Sequence, residues 1–458
     1  MESTEAAGMK PEYDTVVIGG GTAGSYFARR LAEAGHSVLV VEKDRYEDVG
    51  KRLDVFHIDL DKFERYSVPR PEPGDPDFIR IMEKSVSLSP EGLYPKDTNY
   101  PFLASRLTPF LHRLHAWAKE AGVDFQYETS FTGFEFDDAG RISGVRCRTG
   151  EGERVLRTRL AADCSGIGAV GRRALPEDYG METDPASPED SFYVVLRYGR
   201  LKNPERDRVL LPRGWTCYKT WIAPQADPDG IIIGIGQPWS FNEAERVYAE
   251  FAERIELPEC ELTHIERGRT PYRRPPYSLV ADGFVVLGDS ACITKPFSGE
   301  GITAAWEAVS VAAEVVSDAL KQSGYVDTKR LWPANTRYFR GQGAKFAALL
   351  GTLPGAAGLG RKENSYLFRK DVIFSTKDFT AMNTDYEVSM SFGRTLKVAL
   401  VLLWGVLTGR FSFPAFRGLL KSLSLSGVLK RHYEDFPGSP EGFSSWVEKA
   451  ADLWKKNL

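Results

Sequence analysis

A short β-branched run, YDTVVI at residues 13–18, is followed at once by GGGTAG, then by SYFARRLAEAG and a second apolar run, VLVV. Few local patterns leave a chain so little freedom. The runs read as buried parallel strands, the glycines as a tight turn, and the segment between as the helix that a parallel connection requires. Gly19 allows the tight turn, Gly21 lets the backbone approach a pyrophosphate, and Gly24 permits close helix packing, with Ala23 in the same turn and the phosphates at the positive helix N-terminus. Gly35 ends the helix, and Glu42 falls at the tip of the second strand, where a carboxylate can accept both hydroxyls of a ribose. This pattern serves NAD and FAD equally, so the choice between them rests on the remainder of the chain.

Two further segments bear on that choice. From residue 281 the chain reads ADGFVVLGDSACITKPFSGEGITAAWEA, a strand FVVLGD ended by Asp289, a loop, and a glycine-punctuated turn that opens a helix. Residues 104–122, ASRLTPFLHRLHAWAKEAG, have apolar positions at helical spacing and read as a helix with Arg106 in its first turn. The stretch VDFQYETSFTGFEFDDAGRISGVRCRTG reads as a β-meander around an Ala-Gly turn, and LAADCSG as an apolar run reaching Asp163.

Together GGGTAG, Glu42, Arg106, the DCSG segment and GDSACITKPFSGEGI resemble the geranylgeranyl reductase family of FAD-dependent oxidoreductases, within the para-hydroxybenzoate hydroxylase superfamily. The resemblance runs from residue 14 to about 320. It implies FAD as cofactor, with Asp289 on the ribityl chain, the backbone N–H groups of Gly299, Gly301 and Ile302 at the pyrimidine edge of the ring, and Arg106 near the pyrophosphate and ribityl region. The helix that follows would stabilise negative charge on the reduced ring. Against these roles stand plainer ones, an ordinary strand-turn-helix and an exposed helix-start arginine.

The family also carries a Y-x-W-x-F-P segment lining its lipid pocket. Here GWTCYKTWIAP places Trp221 and Pro224 in register, but Lys219 stands where the tyrosine belongs, Tyr218 is one place early, and Ala223 replaces the phenylalanine. The expected substrate pocket comprises Tyr218, Lys219, Trp221, Pro224 and Phe297; the alternative makes Tyr218 and Trp221 sheet residues packing a core. In DVGKRLDVFHID the family's Gly-Lys is kept but its following cysteine is not. His57, with Asp54 and Asp59 nearby, becomes a candidate proton donor beside Tyr218, or else a loop histidine without chemical duty.

The implied activity is reduction of carbon-carbon double bonds in an isoprenoid or other apolar substrate by hydride from reduced flavin. No second dinucleotide fingerprint is visible, so the electrons come from NADPH bound transiently or from a redox partner protein. A flavin-dependent monooxygenase or halogenase on the same fold is the first rival, kept open by Lys219 beside Trp221. A non-catalytic flavin- and lipid-binding protein is the second.

A chain of 458 residues exceeds what one core organises. The expected fold class is α/β: a discontinuous Rossmann-like FAD-binding domain (12–53, 101–185, 271–325), an antiparallel-sheet substrate domain (54–100, 186–270) and a helical C-terminal region (326–458). The net charge of -4 offers no basic surface for nucleic acid. The five cysteines show no C-x-x-C pairing, and His112 and His115 have no acidic partner in ligand register, so no metal site is expected. MESTEAAGMKPEYD lacks the basic start and apolar core of a secretory signal and reads as a short disordered leader, which places the protein in the cytoplasm. In LKVALVLLWGVLTGRFSFPAF, residues 396–416, the densest apolar run is too short to span a bilayer. With Lys397, Arg410, Arg417, Lys421 and Lys430 around Trp404 and Phe411, it suits peripheral membrane contact, the wall of a tunnel for an apolar chain, or a buried core helix.

Overall fold

The computed structural model describes residues 10, 12–51, 54–184, 186–207, 215–217, 220–253, 257–372, 375–388 and 392–456. Tyr218, Lys219 and most of the leader lie outside the described residues.

The first strand, Glu12–Ile18, lies between Val38–Val41 on one side and Gly152–Asp163 on the other, parallel to both. The order across this sheet is Val280–Ala281, Phe284–Val286, Gly152–Asp163, Glu12–Ile18, Val38–Val41, Asp124–Gln126. Register does the functional work here. Ile18 is level with Val41 and Asp163, and Asp163 with Val286, so Gly19, Glu42, Cys164 and Leu287 leave the sheet along one carboxyl edge. The other half of the long strand Gly152–Asp163 pairs with Ile142–Thr149, which pairs in turn with Ser130–Phe136, the meander expected from the sequence. Helices Thr22–Glu33 and Ile302–Leu320 pack together beside this sheet, with Tyr26 6.0 Å from Trp306 and its hydroxyl 2.9 Å from Ser310 Oγ. Ala304, Ala305, Ala308, Ala312 and Ala313 are all buried, which is how a long, small-residue helix approaches closely.

A second sheet of seven strands runs Cys260–Pro271, Ser191–Leu201, Gly230–Pro238, Thr220–Pro224, Trp215–Cys217, Ser85–Leu88, Lys96–Thr98. It is antiparallel except where Trp215–Cys217 runs parallel to Ser85–Leu88. Its two faces sort by the strand period. Val195 and Ile235 pack with Ala244 and Val247 of helix Phe241–Ala252, whose N-terminus is capped by Ser240 accepting from Glu243 N–H at 3.1 Å. Val194, Leu196, Tyr198, Trp221, Ala223 and Ile232 face the other way, toward Val55 and Ile79.

Those last two residues belong to a three-stranded sheet, Val55–Asp59, Phe102–Arg106 and Phe78–Met82. Residues 102–106 are therefore strand, and the helix expected from residue 104 begins at Leu107. Ladder bonds to neighbouring strands outweigh the helical pattern at residues 104–106. Likewise the run FVVLGD is strand only over Phe284–Val286; Gly288, at φ 65°, turns the chain so that Asp289 lies in a 3-10 turn, Gly288–Ala291. The region beyond residue 326 is helical, with Ala344–Ala357 packed closely on Phe413–Glu434. Among the described residues no helix is long and apolar enough to cross a membrane.

Candidate functional site

The glycine turn is shaped by what lies against it. Gly19 has φ 102°, and a Cβ there would stand 2.6 Å from the Cys164 carbonyl oxygen; one on Gly24 would stand 2.1 Å from the Gly19 oxygen. A Cβ on Gly21 would meet nothing within 4 Å. Helix Thr22–Glu33 starts from Gly21 without a side-chain cap, leaving its first N–H groups for an anion. Ala23 is buried in that first turn. Glu42 braces the loop: Oε2 accepts from Gly20 N–H at 2.8 Å and Oε1 from Asp44 N–H at 3.0 Å. A carboxylate has about four acceptor positions, so capacity for hydroxyls remains.

His115 supports the turn from beneath. It is fully buried, its Nε2 is 2.6 Å from the Gly20 carbonyl oxygen, and its Nδ1 is 2.9 Å from the Tyr127 hydroxyl. A carbonyl only accepts, so Nε2 carries the proton and Nδ1 accepts from Tyr127. Burial pushes the imidazole down to about 4, consistent with this neutral form. His112 instead reaches the Tyr46 carbonyl at 2.7 Å, so the two histidines of LHRLHAW serve different loops. Replacing His115 by Phe leaves the Gly20 carbonyl with only the Ser25 hydroxyl, at 3.0 Å, and takes away the acceptor of the Tyr127 hydroxyl, and a loss of about 1–2 kcal/mol in denaturant unfolding is expected. An unchanged midpoint would show that the turn holds without it.

Asp163 ties the two loops that follow its strand and Phe284–Val286. Its Oδ1 accepts from Ser165 N–H (3.0 Å), Ser165 Oγ (2.6 Å) and Ser290 Oγ (3.1 Å), and its Oδ2 from Arg172 N–H (2.7 Å). Buried Arg172 in turn donates to the carbonyls of Ser290, Glu182 and Asp184. This network positions Asp289, whose Oδ1 would be 2.8 Å from a Cβ on Gly301 and accepts a long 3.4 Å bond from Thr294 Oγ1. No lysine or arginine pairs with Asp289 among the described residues. A carboxyl held so loosely, over the uncapped start of Ile302–Leu320 and beside Gly299 at φ 79°, suits a polyhydroxyl chain.

Burial pushes the Asp289 carboxyl up to about 6 from an ordinary 3.8. The folded chain thus keeps a proton through a range in which the unfolded chain has released it, and stability falls as pH rises across that range. Asp289→Asn is expected to remove this slope and leave the ligand-free protein about 1–3 kcal/mol more stable than the parent at about pH 7, with no gain at about pH 4. Matched urea titrations at the two pH values check this, and a variant weaker at the higher pH would contradict it.

Next to these glycines lies an ionic cluster, buried at Lys295 and Asp59 and partly exposed at Glu300, that sequence reading did not find. Lys295 Nζ is 2.5 Å from Asp59 Oδ2 and 3.0 Å from Glu300 Oε2, and Thr303 Oγ1 donates to the same Asp59 oxygen at 2.7 Å. One cation serves two carboxylates. Burial raises the Asp59 carboxyl against the pull of Lys295, while Lys295 holds the partly exposed Glu300 low. His57, two residues before Asp59 on the same strand face, packs 4.7 Å from the Phe102 ring, and its buried Nε2 has no hydrogen-bond partner. Burial lowers its pKa, opposed by Glu300. Buried Tyr386 is likewise unpartnered at its hydroxyl, with Lys295 Nζ 5.8 Å from its ring centre. Neither the T-K-P spelling around Lys295 nor the surroundings of Tyr386 carried any local signal of this.

The second sheet supplies the facing wall. A Cβ on Gly234 would fall 2.1 Å from Trp221 Cε2, and one on Gly236 2.0 Å from Phe192 Cε1, so both rings lie flat across glycines. Trp221 is part of the apolar face that meets Val55, and Pro224 is buried opposite Ile231. Thr270 Cγ2 comes within 3.7 Å of a Cβ on Gly299, joining this sheet to the glycine loop, where Phe297 is half-buried. Arg106 is exposed at the N-cap of Leu107–Glu120, its backbone N–H donating to the Asp77 carbonyl at 3.0 Å.

Fold and site define a mixed α/β protein of the Rossmann-like dinucleotide-binding class, with an antiparallel sheet set against its second glycine loop and a helical C-terminal region. Residues 17–52 match the model of the NAD(P)-binding Rossmann-like domain. Over 98% of its length the chain is 22% identical to a digeranylgeranylglycerophospholipid reductase of Sulfolobus acidocaldarius, covering 99% of that protein. A geranylgeranyl bacteriochlorophyll reductase-like protein of Thermoplasma acidophilum superposes with TM-score 0.62 at 16% identity, over 96% of this chain and 99% of that one. A flavin-dependent brominase superposes with TM-score 0.58, also at 16% identity, over 97% and 100%. The resemblance to the geranylgeranyl reductase family read from the motifs is thus matched by similarity along the whole chain.

Proposed function

We propose that this protein is an FAD-dependent reductase acting on carbon-carbon double bonds of an isoprenoid lipid. The observation that carries the reading is the convergence of two uncapped helix starts and the loosely held Asp289 on one sheet edge, opposite the apolar face around Trp221. FAD accepts an electron pair and passes it on as hydride, the chemistry that such a site needs. Gly19, Gly21, Ala23 and Gly24 would receive the pyrophosphate, Glu42 the ribose, and Arg106 the phosphate and ribityl region. Asp289 would hold the ribityl hydroxyls, and the N–H groups of Gly299, Gly301 and Ile302 the pyrimidine edge of the ring.

The chain's own residues then have three tasks. Trp221 and Phe297, with Tyr218 and Lys219, would line the pocket and exclude water from an alkene that is a poor hydride acceptor, whereas Pro224, expected there from the sequence, falls on the other face of the sheet with Ile231. His57 would deliver the proton that completes the reduction, with Tyr218 as the other candidate; its unpartnered Nε2 and its position beside Glu300 support that assignment. Electrons would arrive from NADPH or a redox partner protein. The relative named for digeranylgeranylglycerophospholipid favours a substrate drawn from a bilayer, and contact of residues 396–416 with a membrane surface belongs to the same reading.

The test is to reduce the flavin-loaded protein without oxygen and follow its reoxidation by stopped-flow absorbance, with a polyprenyl lipid or with oxygen alone. Rapid oxidation by the lipid with a saturated product in the mass spectrum is expected. No response to lipid, with fast reaction toward oxygen, would transfer the assignment to the oxygenating rival.

A further inference from the structure

Helix Phe392–Leu407 is held by one face only. Val398 and Leu402 are buried with Tyr366, Phe411 and Leu419, and a Cβ on Gly405 would fall 2.8 Å from the Tyr366 ring. The opposite stripe, Leu396, Leu400, Leu403, Trp404 and Leu407, follows helical spacing yet is between 49% and 71% exposed, and Phe413 at the start of the next helix is 63% exposed. A helix packed on a globular protein ordinarily turns polar residues outward, so an apolar outer stripe calls for a partner.

Charge identifies that partner. Residues 388–433 contain seven Lys or Arg and no Asp or Glu, in a chain whose net charge is -4. Arg394 is tied to Asp378, and Lys430 pairs with Glu387 at 2.6 Å. Lys397, Arg410, Arg417 and Lys421 are exposed on or between the same two helices, where long stems can lie along apolar surface and keep the charge in a headgroup layer. A second copy of this chain fits poorly, because a two-fold contact would set the same cations against each other. Neither helix can span a bilayer, so the contact is with its surface.

We propose that helices Phe392–Leu407 and Phe413–Glu434 form a docking platform for a bilayer bearing anionic headgroups, the outer leucines and Trp404 entering the acyl boundary and the four exposed cations meeting phosphate. This deepens the lipid-reductase reading, on which it rests only for the purpose of docking.

The test is co-sedimentation of the full-length, flavin-loaded protein with vesicles of phosphatidylcholine alone or mixed with phosphatidylglycerol. Binding about tenfold or more stronger to the anionic vesicles, weakened by salt, is expected. The double variant Leu400→Glu and Leu407→Glu should lose that binding while keeping its flavin and its circular dichroism, since both side chains are more than half exposed. Replacing Lys397, Arg410, Arg417 and Lys421 together by Gln should abolish the preference for anionic lipid. Equal binding to both vesicle types, no binding to either, or a solution dimer that Leu400→Glu dissociates would each overturn the proposal. Because binding is read rather than turnover, a catalytically silent protein that docks would defeat only the reductase reading.

Discussion

Lys295→Met is expected to cost about 3–5 kcal/mol of folding stability, because it leaves the buried Asp59 carboxylate, and beside it the partly exposed Glu300, without their cation. Lys295 is fully buried, and both Asp59 and Glu300 depend on it. The lost Coulomb attraction is only part of the effect; Asp59 would then keep its charge, or take up a proton, where little water reaches it and with the charge of Glu300 nearby. Denaturant unfolding of the ligand-free protein measures the loss. The triple variant Lys295→Met, Asp59→Asn, Glu300→Gln should recover much of it, since a neutral set of similar shape avoids the desolvation cost. A single variant as stable as the parent would mean that the carboxylates find protons or water at little cost. Asp59 lies on the strand paired with Phe102–Arg106 and Lys295 just before the glycine loop, so the same variant should disturb how these two parts meet.

The second large effect belongs to the first glycine turn. Gly24→Val is expected to abolish flavin retention and to destabilise the fold by about 1–3 kcal/mol or more, the range for overpacking a closed site. Its Cβ would stand 2.1 Å from the Gly19 oxygen and 3.1 Å from Cys164 Cβ, and backbone cannot rotate away as a flexible side chain can. Gly21→Ala is the informative contrast. Gly21 has φ -70°, and its Cβ meets no protein atom within 4 Å, so the fold should be unaffected while flavin is held more weakly. Flavin-to-protein ratios after gel filtration, beside unfolding curves, separate the two outcomes. Equal flavin loss with equal destabilisation in both variants would show that Gly21 serves the fold and not a ligand.

The contrast between those glycines reflects how legible the site was. Gly19, Gly21, Gly24 and Glu42 were readable because the turn, the helix start and the strand tip are adjacent in the chain and each constraint is local. Asp289 was readable by likeness, although its strand is shorter than the apolar run implied, since Gly288 turns the chain early. Arg106 was assigned to a helix from spacing alone, and pairing with Val55 made it the last residue of a strand. Trp221 fell between its two readings: it packs across Gly234 as a sheet residue would, and that same face is the one turned toward the site.

By itself the sequence determined the opening dinucleotide fold, the placement of a second glycine-opened helix, and an apolar stretch too short to span a bilayer. Each follows from backbone sterics or from length, quantities that neighbouring residues settle among themselves. Only the tertiary structure decided that His115 holds Gly20 from 95 residues away, that Lys295 reaches Asp59 across 236, and that the leucines of 396–407 face outward. Burial and ion pairing belong to positions in space, and residues far apart in the chain meet only where the packing of whole sheets and helices brings them.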